Sequence, residues 1–391
     1  MDLPRTLIIK NLLFAACGDL IRHRGRSFVV TLCLVAILFP LVTALAISEG
    51  LRFQAEISIG EGADFYVSED RYGGNGPISL DHQSGLSGLQ GVSRVTPRVV
   101  GRAYFADRLT AVVGLEPEAL SALKTLVQGK VPGAPGEVLL GQGIARAFKI
   151  QVGMPFSLGA NPHKTFKVTG ILSHSCLWSS DLMLMSHSDA NEFFRIRGLS
   201  TQLLIYTLSD SSPLLAKSLI GRSDPGGSQV PHLRIEDRYH TKERVQAGFS
   251  HKGGIFIILY IIVATLAIQA FLITSGFGLR VMEREIGVMK AIGWRTSEML
   301  GKIGMECLVI SLTAISSAIL LSMALTKGLN GILIAQFFVA EVGLVPEVEI
   351  PSRYLPFHGL LGLALAFCIT LSGGLWSAWR KAQRPPAELM R

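Results

Sequence analysis

Four long apolar runs constrain this chain of 391 residues more than any other feature of its sequence. A helix needs about 20 consecutive apolar residues to cross the hydrocarbon core of a bilayer. Runs of that length lie at residues 28–48, 254–278, 305–326 and 355–379. Charged residues make up only 17% of the chain, which fits a protein that lies partly in lipid. The sequence therefore predicts a membrane protein with four transmembrane α-helices.

The net charge of +8 comes from three segments that border these runs. Residues 1–27, 279–302 and 380–391 together carry fourteen Lys and Arg against six Asp and Glu, while the rest of the chain is balanced. Lys and Arg concentrate in the cytoplasmic segments of membrane proteins. We therefore expect both termini and the 279–302 loop in the cytoplasm, with residues 49–252 and 327–354 outside. This distribution explains the basic charge without a nucleic-acid partner.

The segments at the two ends of the chain differ in character. Residues 1–27 combine apolar runs with Arg5, Lys10 and Asp19, a composition typical of a helix in the membrane interface. Residues 380–391 form a basic cytoplasmic tail. The first span ends in an Ala-Leu-Ala sequence that resembles a signal-peptidase site. Because its apolar core is too long for a signal peptide, we expect the segment to remain as a span.

The exterior region, residues 49–252, contains short alternating segments between helical continuations of the neighbouring spans. Residues 48–59 and 234–252 are the predicted continuations, and together they would form a stalk. Strands are predicted at 63–68, 98–105, 109–115, 137–141, 154–159, 164–172, 182–186 and 201–208, and short helices at 143–148 and 188–196. The second and third strands are predicted to pair as a hairpin. The fold class is therefore four membrane helices with a mixed α/β exterior domain inserted between helices 1 and 2.

The cytoplasmic loop 279–302 is predicted to contain an amphipathic helix. Apolar or small residues recur there at helical spacing, at Met282, Ile286, Met289 and Gly293, while the charged residues fall largely on other faces. A glycine inside a helix costs about 1 kcal/mol relative to alanine, so Gly287 suggests close approach by another backbone or a flat groove. These residues alone leave two interpretations equally open, a docking helix and an ordinary solvated loop helix.

The ends of helices in this loop carry recognisable signals. Gly293 is predicted to cap the C-terminus of the amphipathic helix, because glycine adopts the left-handed conformation that ends many helices. Ser297, followed by Glu298, is predicted to open the next helix.

The run from Arg284 to Gly293, REIGVMKAIG, resembles the coupling-helix signature of the FtsX-like and MacB-like ABC transporter permeases, the type VII ABC systems. The resemblance implies that this stretch docks on a separate ABC ATPase. The implied docking residues are Arg284, Glu285, Ile286, Gly287, Val288, Met289, Lys290, Ile292 and Gly293. Among them, Glu285, Ile286, Gly287 and Met289 are expected to face the groove of the ATPase.

The exterior region shows a looser resemblance to the same family. The sequence EVLLGQGIARAFKIQVGMPFSL, followed by FKVTGIL, is similar to the MacB-type periplasmic core in its hydrophobic and glycine positions. The resemblance implies two exterior subdomains, called porter and Sabre, whose boundary the sequence leaves open. The family also implies a bacterial inner (cytoplasmic) membrane location. The third span departs from the family pattern, since it is rich in Ala and Ser where relatives carry several glycines.

The sequence contains no pattern for chemistry of its own. No GxxxxGK[ST] phosphate-binding loop occurs, so ATP and Mg are expected only in a partner ATPase. The spacing of histidines and cysteines predicts no metal site, and Cys176 is the single exterior cysteine, which excludes a disulfide within that domain. We therefore predict a non-catalytic subunit with no catalytic, cofactor-binding or metal residues.

Two further patterns concern the spans. Small residues recur at every fourth position, at Ala314, Ala318 and Ser322 in the third span and at Gly362, Ala366, Thr370, Gly374 and Ala378 in the fourth. Such stripes allow close helix packing, and packing within the chain is favoured over a dimer seam. Glu306 and His358 are the ionisable residues within the spans, and both lie near span ends, so a polar conduit is not expected.

Two functions remain open. The first is an export or extraction permease, in which an ATPase drives the exterior domain by mechanotransmission, as the resemblance implies, on a substrate in the periplasm or outer leaflet. The alternative is a signalling scaffold that controls a periplasmic partner such as a cell-wall hydrolase. The implied partners are an ABC ATPase, a second permease copy (a homodimer or a related paralogue), the lipid bilayer and, as a further option, a membrane-fusion or periplasmic protein.

The charge distribution generates a prediction about topology. A membrane-impermeant thiol reagent should label cysteines introduced at Asp81 or Asp224 in intact cells, because both positions lie in the predicted exterior region. A cysteine at Arg295 should react only after the membrane is permeabilised. Labelling of position 295 in intact cells would contradict the predicted orientation.

Overall fold

The computed structural model describes residues 5–60, 62–72, 74–105, 108–121, 126–157, 165–172, 182–208, 233–240, 242, 287–329 and 350–382, with several positions between 258 and 269. The chain forms two compact units. The first, here called the membrane unit, contains Met1–Gly50, Lys252–Phe337 and Ser352–Arg391. The second, the exterior unit, contains Leu51–His251 and Phe338–Pro351.

The described residues form eight helices that we number in chain order. They are α1 (Arg5–Arg22), α2 (Arg24–Gly60), α3 (Asp81–Ser87), α4 (Pro117–Ser121), α5 (Gln142–Ala147), α6 (His187–Phe194), α7 (Thr296–Gly328) and α8 (Pro356–Ala382). A further helical turn at residues 287–291 is described with the candidate site.

The strands, numbered in the same way, belong mainly to the exterior unit. They are β1 (Phe65–Arg71), β2 (Gly74–Gly76), β3 (Ile78–Ser79), β4 (Val92–Phe105), β5 (Arg108–Leu115), β6 (Leu126–Gly129), β7 (Glu137–Gly141), β8 (Pro155–Ser157), β9 (Thr165–Leu172), β10 (Leu182–Ser186), β11 (Leu199–Ser200), β12 (Gln202–Thr207) and β13 (Leu233–Asp237).

At least two described helices, α2 and α7, are long and apolar enough to cross a membrane. With 37 residues, α2 is about 55 Å long at ~1.5 Å per residue, far more than the ~30 Å of hydrocarbon. The helix therefore continues past the predicted first span, and the prediction that residues 48–59 are helical is confirmed. α8 has 27 residues. The predicted second span, residues 254–278, lies almost wholly outside the described residues, so the number of four spans stays a prediction.

Small side chains allow α2, α7 and α8 to pack closely. Ala314 and Ala318 of α7 and Ala366 of α8 are fully buried beside Leu34 and Leu38 of α2. Since lipid is as apolar as these side chains, the helices associate through close van der Waals contact instead of the hydrophobic effect. The small-residue stripe of the third span thus packs within the chain, as the sequence favoured.

Hydroxyl groups join the same helices on the buried side of α7. Thr43 donates a hydrogen bond of 2.8 Å to the hydroxyl of Ser322. The Tyr354 hydroxyl lies 2.8 Å from the Ser322 Oγ and 3.1 Å from the Thr326 Oγ1. Buried polar groups are costly unless they are hydrogen-bonded, and here each hydroxyl has a partner. This network connects α2, α7 and the segment before α8.

The exterior unit is built on one sheet of eleven strands. Its main order is β13-β1-β12-β4-β5-β10-β7-β9-β6, with β2 paired to β1 and β8 paired to β9. The β5–β10 and β7–β9 pairs are parallel and the other pairs of this sheet are antiparallel. A separate small sheet joins β3 and β11. The predicted mixed α/β character is therefore confirmed.

Most predicted strands lie where the sequence placed them. The expected hairpin is formed by β4 and β5, in which Phe105 pairs with Arg108. One prediction is wrong: residues 234–237, expected in a helix, belong to β13, which pairs with β1 through Phe65 and Asp237. Residues 238–240 and 242 are helical, and the rest of the predicted helix lies outside the described residues. The edge of an existing sheet supplies backbone partners that a local sequence pattern does not reveal.

Helix α6 lies against the sheet at two glycines. A Cβ at Gly101 would lie 2.3 Å from the ring of Phe194, and a Cβ at Gly114 would lie 2.3 Å from the Cβ of Ala190. A side chain at Gly101 would therefore displace the Phe194 ring, and a side chain at Gly114 would displace α6 itself. Besides the hydrophobic cluster beneath α6, a second cluster on the same sheet includes Leu86 of α3. Together these clusters form the core of the exterior unit.

The packing of α7 on α8 generates a prediction about Gly362. A Cβ there would lie 2.4 Å from the Cδ1 of Ile315, so Gly362→Ala should destabilise the membrane unit by about 1–3 kcal/mol through overpacking. Ile315→Val removes that Cδ1 atom, so the double variant should lose less than the sum of the two single losses. Thermal unfolding in detergent measures these effects.

Gly359→Ala is the matched control. A Cβ at Gly359 would lie 3.7 Å from Ile319, an ordinary contact, and alanine favours the helix by about 1 kcal/mol. This variant should be neutral or stabilising. Equal losses for Gly359→Ala and Gly362→Ala would contradict the packing described here.

Candidate functional site

The structure describes residues 287–293, which we call the docking segment. Residues 287–291 are helical and 292–293 form a turn. Three of the predicted docking residues, Arg284, Glu285 and Ile286, lie outside the described residues. The remaining six, Gly287, Val288, Met289, Lys290, Ile292 and Gly293, all lie in the segment.

Gly293 ends the helix of the docking segment, as predicted. Its φ of +99° is in the left-handed region, where glycine is favoured over residues with a Cβ. The N–H of Gly293 donates to the carbonyl of Lys290 at 3.0 Å, and the N–H of Trp294 donates to the carbonyl of Met289 at 3.0 Å. These two bonds form a Schellman motif, which reverses the chain sharply at the end of a helix.

The same motif brings Met289 and Trp294 together against the long helices. Both pack on a buried cluster formed by Met299, Ile303 and Cys307 of α7. Phe367 and Leu371 of α8 pack on that cluster as well. A hydrophobic contact of this kind commonly accompanies a Schellman motif. The docking segment is therefore anchored to the start of α7 and to α8.

Anchoring turns one face of the segment inward and leaves another face outward. Met289 packs within the chain and Gly287 is buried, while the expectation that both face a partner stays a prediction. The exposed apolar side chains are Val288, 44% exposed, and Ile292, 73% exposed. These two lie four residues apart and so share one face of the helix. A partner would meet this Val288/Ile292 face.

Helix α7 begins three residues after Gly293, at Thr296. Its N-cap is Arg295, whose N–H donates to the carboxylate of Glu298 at 3.0 Å. The expected role of Glu298 at the helix start is therefore confirmed, while Ser297 lies inside the first turn instead of capping it. An acidic side chain in this turn is also favourable because the N-terminus of a helix carries partial positive charge.

A buried ion cluster lies one turn further along α7. The ammonium of Lys302 contacts the carboxylate of Asp19 on α1 and lies 3.8 Å from that of Glu306. Only 7% of Lys302 is exposed. Sequence reasoning did not find the contact with Asp19, because the two residues are 283 positions apart.

The described part of the exterior unit contains one group of residue types used in catalysis. The Nε2 of His187 lies 3.4 Å from the Ser200 hydroxyl, and burial lowers the pKa of His187. Ser200 is fully buried, and its hydroxyl donates to the carbonyl of Arg98 at 2.8 Å. The carboxylate of Asp189 accepts the Ser186 hydroxyl at 2.7 Å at the start of α6. These bonds stabilise the fold and present no exposed nucleophile.

The ligand types that hold metal ions do not gather in the described part of the chain. Among those residues there is no group of three or more His, Cys, Asp or Glu side chains that could hold a metal ion. The docking segment itself presents an exposed apolar face on a short helix that packs against two long ones.

Two family comparisons cover most of the chain. Residues 27–213 match the MacB-like periplasmic core domain. Residues 257–386 match the FtsX-like permease C-terminal domain, a range that contains the docking segment, α7 and α8.

Two solved structures are similar to just under half of this chain. The periplasmic region of MacB from Actinobacillus actinomycetemcomitans is 15% identical over 48% of this chain and 98% of that chain, with a TM-score of 0.33. The extracellular domain of the noncanonic ABC-type transporter YknZ from Gram-positive bacteria is 12% identical over 45% of this chain and 100% of that chain, with a TM-score of 0.34.

The geometry of the docking segment generates a prediction about Gly293. A residue with a Cβ in the left-handed conformation costs about 1–2 kcal/mol, so Gly293→Ala should loosen the Schellman turn. Trypsin should then cleave after Arg295 about fivefold faster or more in inverted membrane vesicles. Gly293→Asn should have a smaller effect, because asparagine tolerates this conformation.

Gly304→Ala provides the control for this experiment. A Cβ at Gly304 in α7 meets no atom within 4 Å, and the backbone there is ordinary right-handed helix. Cleavage after Arg295 should be unchanged in this variant. If Gly293→Ala is cleaved no faster than Gly304→Ala, the turn does not depend on glycine.

Proposed function

Since the chain belongs to the FtsX-like and MacB-like ABC transporter permeases, we propose that it couples ATP hydrolysis by a separate ABC ATPase to movement of its periplasmic domain. That movement drives export or extraction of a substrate from the periplasm or the outer leaflet. Members of this family are inner-membrane transporter components that are generally non-catalytic and associate with an ABC ATPase. The coupling, its direction and the mechanotransmission mechanism are the proposal.

The observation that carries the proposal is that one chain contains both a permease domain and a periplasmic core domain. Residues 257–386 match the permease domain, and residues 27–213 match the periplasmic core. A single helix, α2, runs from Arg24 to Gly60 and so belongs to both the membrane unit and the exterior unit. A displacement at its inner end is therefore transmitted along a continuous hydrogen-bonded rod.

The Val288/Ile292 face supports the docking of an ATPase on the cytoplasmic side. Both side chains are apolar and exposed, on a helix that we expect in the cytoplasm from the charge distribution. A helix that docks in the groove of a partner presents apolar side chains at i and i+4, which is the spacing of these two residues. The Schellman turn and the Met289 anchor hold this face in one orientation, which reduces the ordering entropy that a flexible loop would lose on binding.

The extent of the periplasmic core favours export or extraction over a signalling scaffold. The match to this core spans residues 27–213, close to half of the chain. A domain of this size offers a large surface for a substrate or a periplasmic partner. The assembly expected from paired ABC ATPases is two permease copies with two ATPases, and the second copy is identical or a related paralogue.

Docking on the Val288/Ile292 face predicts the effect of charged substitutions. Val288→Arg and Ile292→Arg should each weaken co-purification of the ATPase by about tenfold or more, since disrupting a residue in the centre of an interface typically costs at least ~1–2 kcal/mol. Stimulation of ATP turnover by the permease should fall in parallel. Both are measured with the purified permease and its cognate ATPase in nanodiscs.

Two variants separate docking from folding. Ile292→Val keeps the exposed face apolar and should bind like the parent. Met289→Ala should lower the thermal stability because Met289 packs within the chain, while the folded fraction should still bind the ATPase. If Val288→Arg and Ile292→Arg bind and stimulate the ATPase like the parent, the segment is an ordinary solvated helix. Gly287 is unsuitable for this test, because it is buried within the chain.

A further inference from the structure

Helix α1 is held on α7 by a contact that combines charge with close packing. The carboxylate of Asp19 contacts the ammonium of Lys302, which is almost fully buried. A Cβ at Gly301 would lie 3.4 Å from the Cδ1 of Leu12, so the two helices touch at this position. Ala16 of α1 is completely buried on the same side. One face of α1 is thereby fixed to the first turns of α7.

The buried charge makes this contact specific. An ammonium removed from water is stable only when carboxylates and hydrogen bonds replace its hydration. Glu306 lies on α7 itself, 3.8 Å away, and would accompany Lys302 wherever α7 moves. Asp19 is the carboxylate that comes from a different helix. Among the described residues, Asp19 and Glu306 are the carboxylates beside Lys302, so separating α1 from α7 would leave it with Glu306 alone.

The other end of α1 is joined tightly to the first span. Only His23 separates α1 from α2, and the N–H of His23 donates to the carbonyl of Asp19 at 2.9 Å. The hydroxyl of Ser27 donates to the carbonyl of Leu20 at 3.2 Å across the same junction. A displacement of Asp19 would therefore also displace the inner end of α2.

We propose that Asp19 and Lys302 form a charge clamp through which movement of the docking segment reaches the first span. The route runs from the docking segment into α7, across the clamp to α1, and along α2 to the exterior unit. The inference rests on the proposed function, because it assumes that the docking segment receives the ATP-driven movement. Asp19 and Lys302 are positioning residues in this scheme and contact neither nucleotide nor substrate.

The test measures an ATP-dependent change at the C-terminal end of α2 in variants of the Asp19–Lys302 pair. A fluorophore is attached to Ile57→Cys, where the native side chain is 37% exposed on the continuation of α2. The native cysteines, Cys17, Cys33, Cys176, Cys307 and Cys368, are replaced beforehand, and this background must retain the ATP turnover of the parent. The signal is the fluorescence change on addition of ATP to the permease–ATPase complex in nanodiscs.

Asp19→Lys should reduce this ATP-dependent change by about tenfold or more, because it places two cations together in a buried site. Co-purification of the ATPase should stay within about twofold of the parent, since the docking segment is unaltered. The exchange Asp19→Lys with Lys302→Asp rebuilds a cluster of one cation and two carboxylates, and it should restore most of the change. Arg22→Gln, which alters one charge at the exposed end of α1, is the control and should behave like the parent.

A covalent link distinguishes a mechanical clamp from a merely local structural role. Leu12→Cys and Gly301→Cys, joined by a short bifunctional thiol reagent before the fluorophore is attached, should rescue the change in the Asp19→Lys variant. A normal fluorescence change in Asp19→Lys without the link would overturn the clamp while leaving the proposed function intact. Failure of the link to rescue would also count against the clamp. If the unaltered background gives no ATP-dependent change, the proposed function fails and the clamp fails with it.

Discussion

Close packing of α7 against α2 and α8 is the contact on which the rest of the membrane unit depends. In water, burying these apolar side chains would itself drive association, but lipid offers them an equally apolar environment. Alanines at 314, 318 and 366 and the glycine at 362 let the helices approach closely enough for dispersion contacts to accumulate. If α7 were not held in this position, neither the docking segment nor Lys302 would have a defined position.

The position of the docking segment follows from the position of α7. Trp294 and Met289 fill the end of the α7–α8 contact, and the left-handed Gly293 lets the chain turn back between them. Because the inward face is occupied in this way, the outward face is left with Val288 and Ile292. The helix thus has apolar side chains on two faces: one face packs on its own chain, and the other stays exposed.

Much of the fold follows from local sequence, and the departures have physical causes. The apolar runs and the alternating strands depend on neighbouring residues, so β4, β5 and the long continuation of α2 were predictable. β13 was not, because its residues extend only by pairing with β1. The inward position of Met289 was equally hidden, since helical periodicity shows that an apolar face exists but not what covers it. The Asp19–Lys302 contact joins residues 283 positions apart, beyond any local pattern.

The contacts of α7 with the first span lie at three levels, and their distribution explains how a shift of α7 would act. At the inner level Lys302 holds α1 through Asp19, in the middle the alanines pack on Leu38, and further along Ser322 accepts a hydrogen bond from Thr43. A helix held at one level could pivot about that contact, whereas contacts at several levels force it to move with its neighbour. Because α2 continues as one helix to Gly60, the helix that α7 contacts at these three levels also supplies the first residues of the exterior unit.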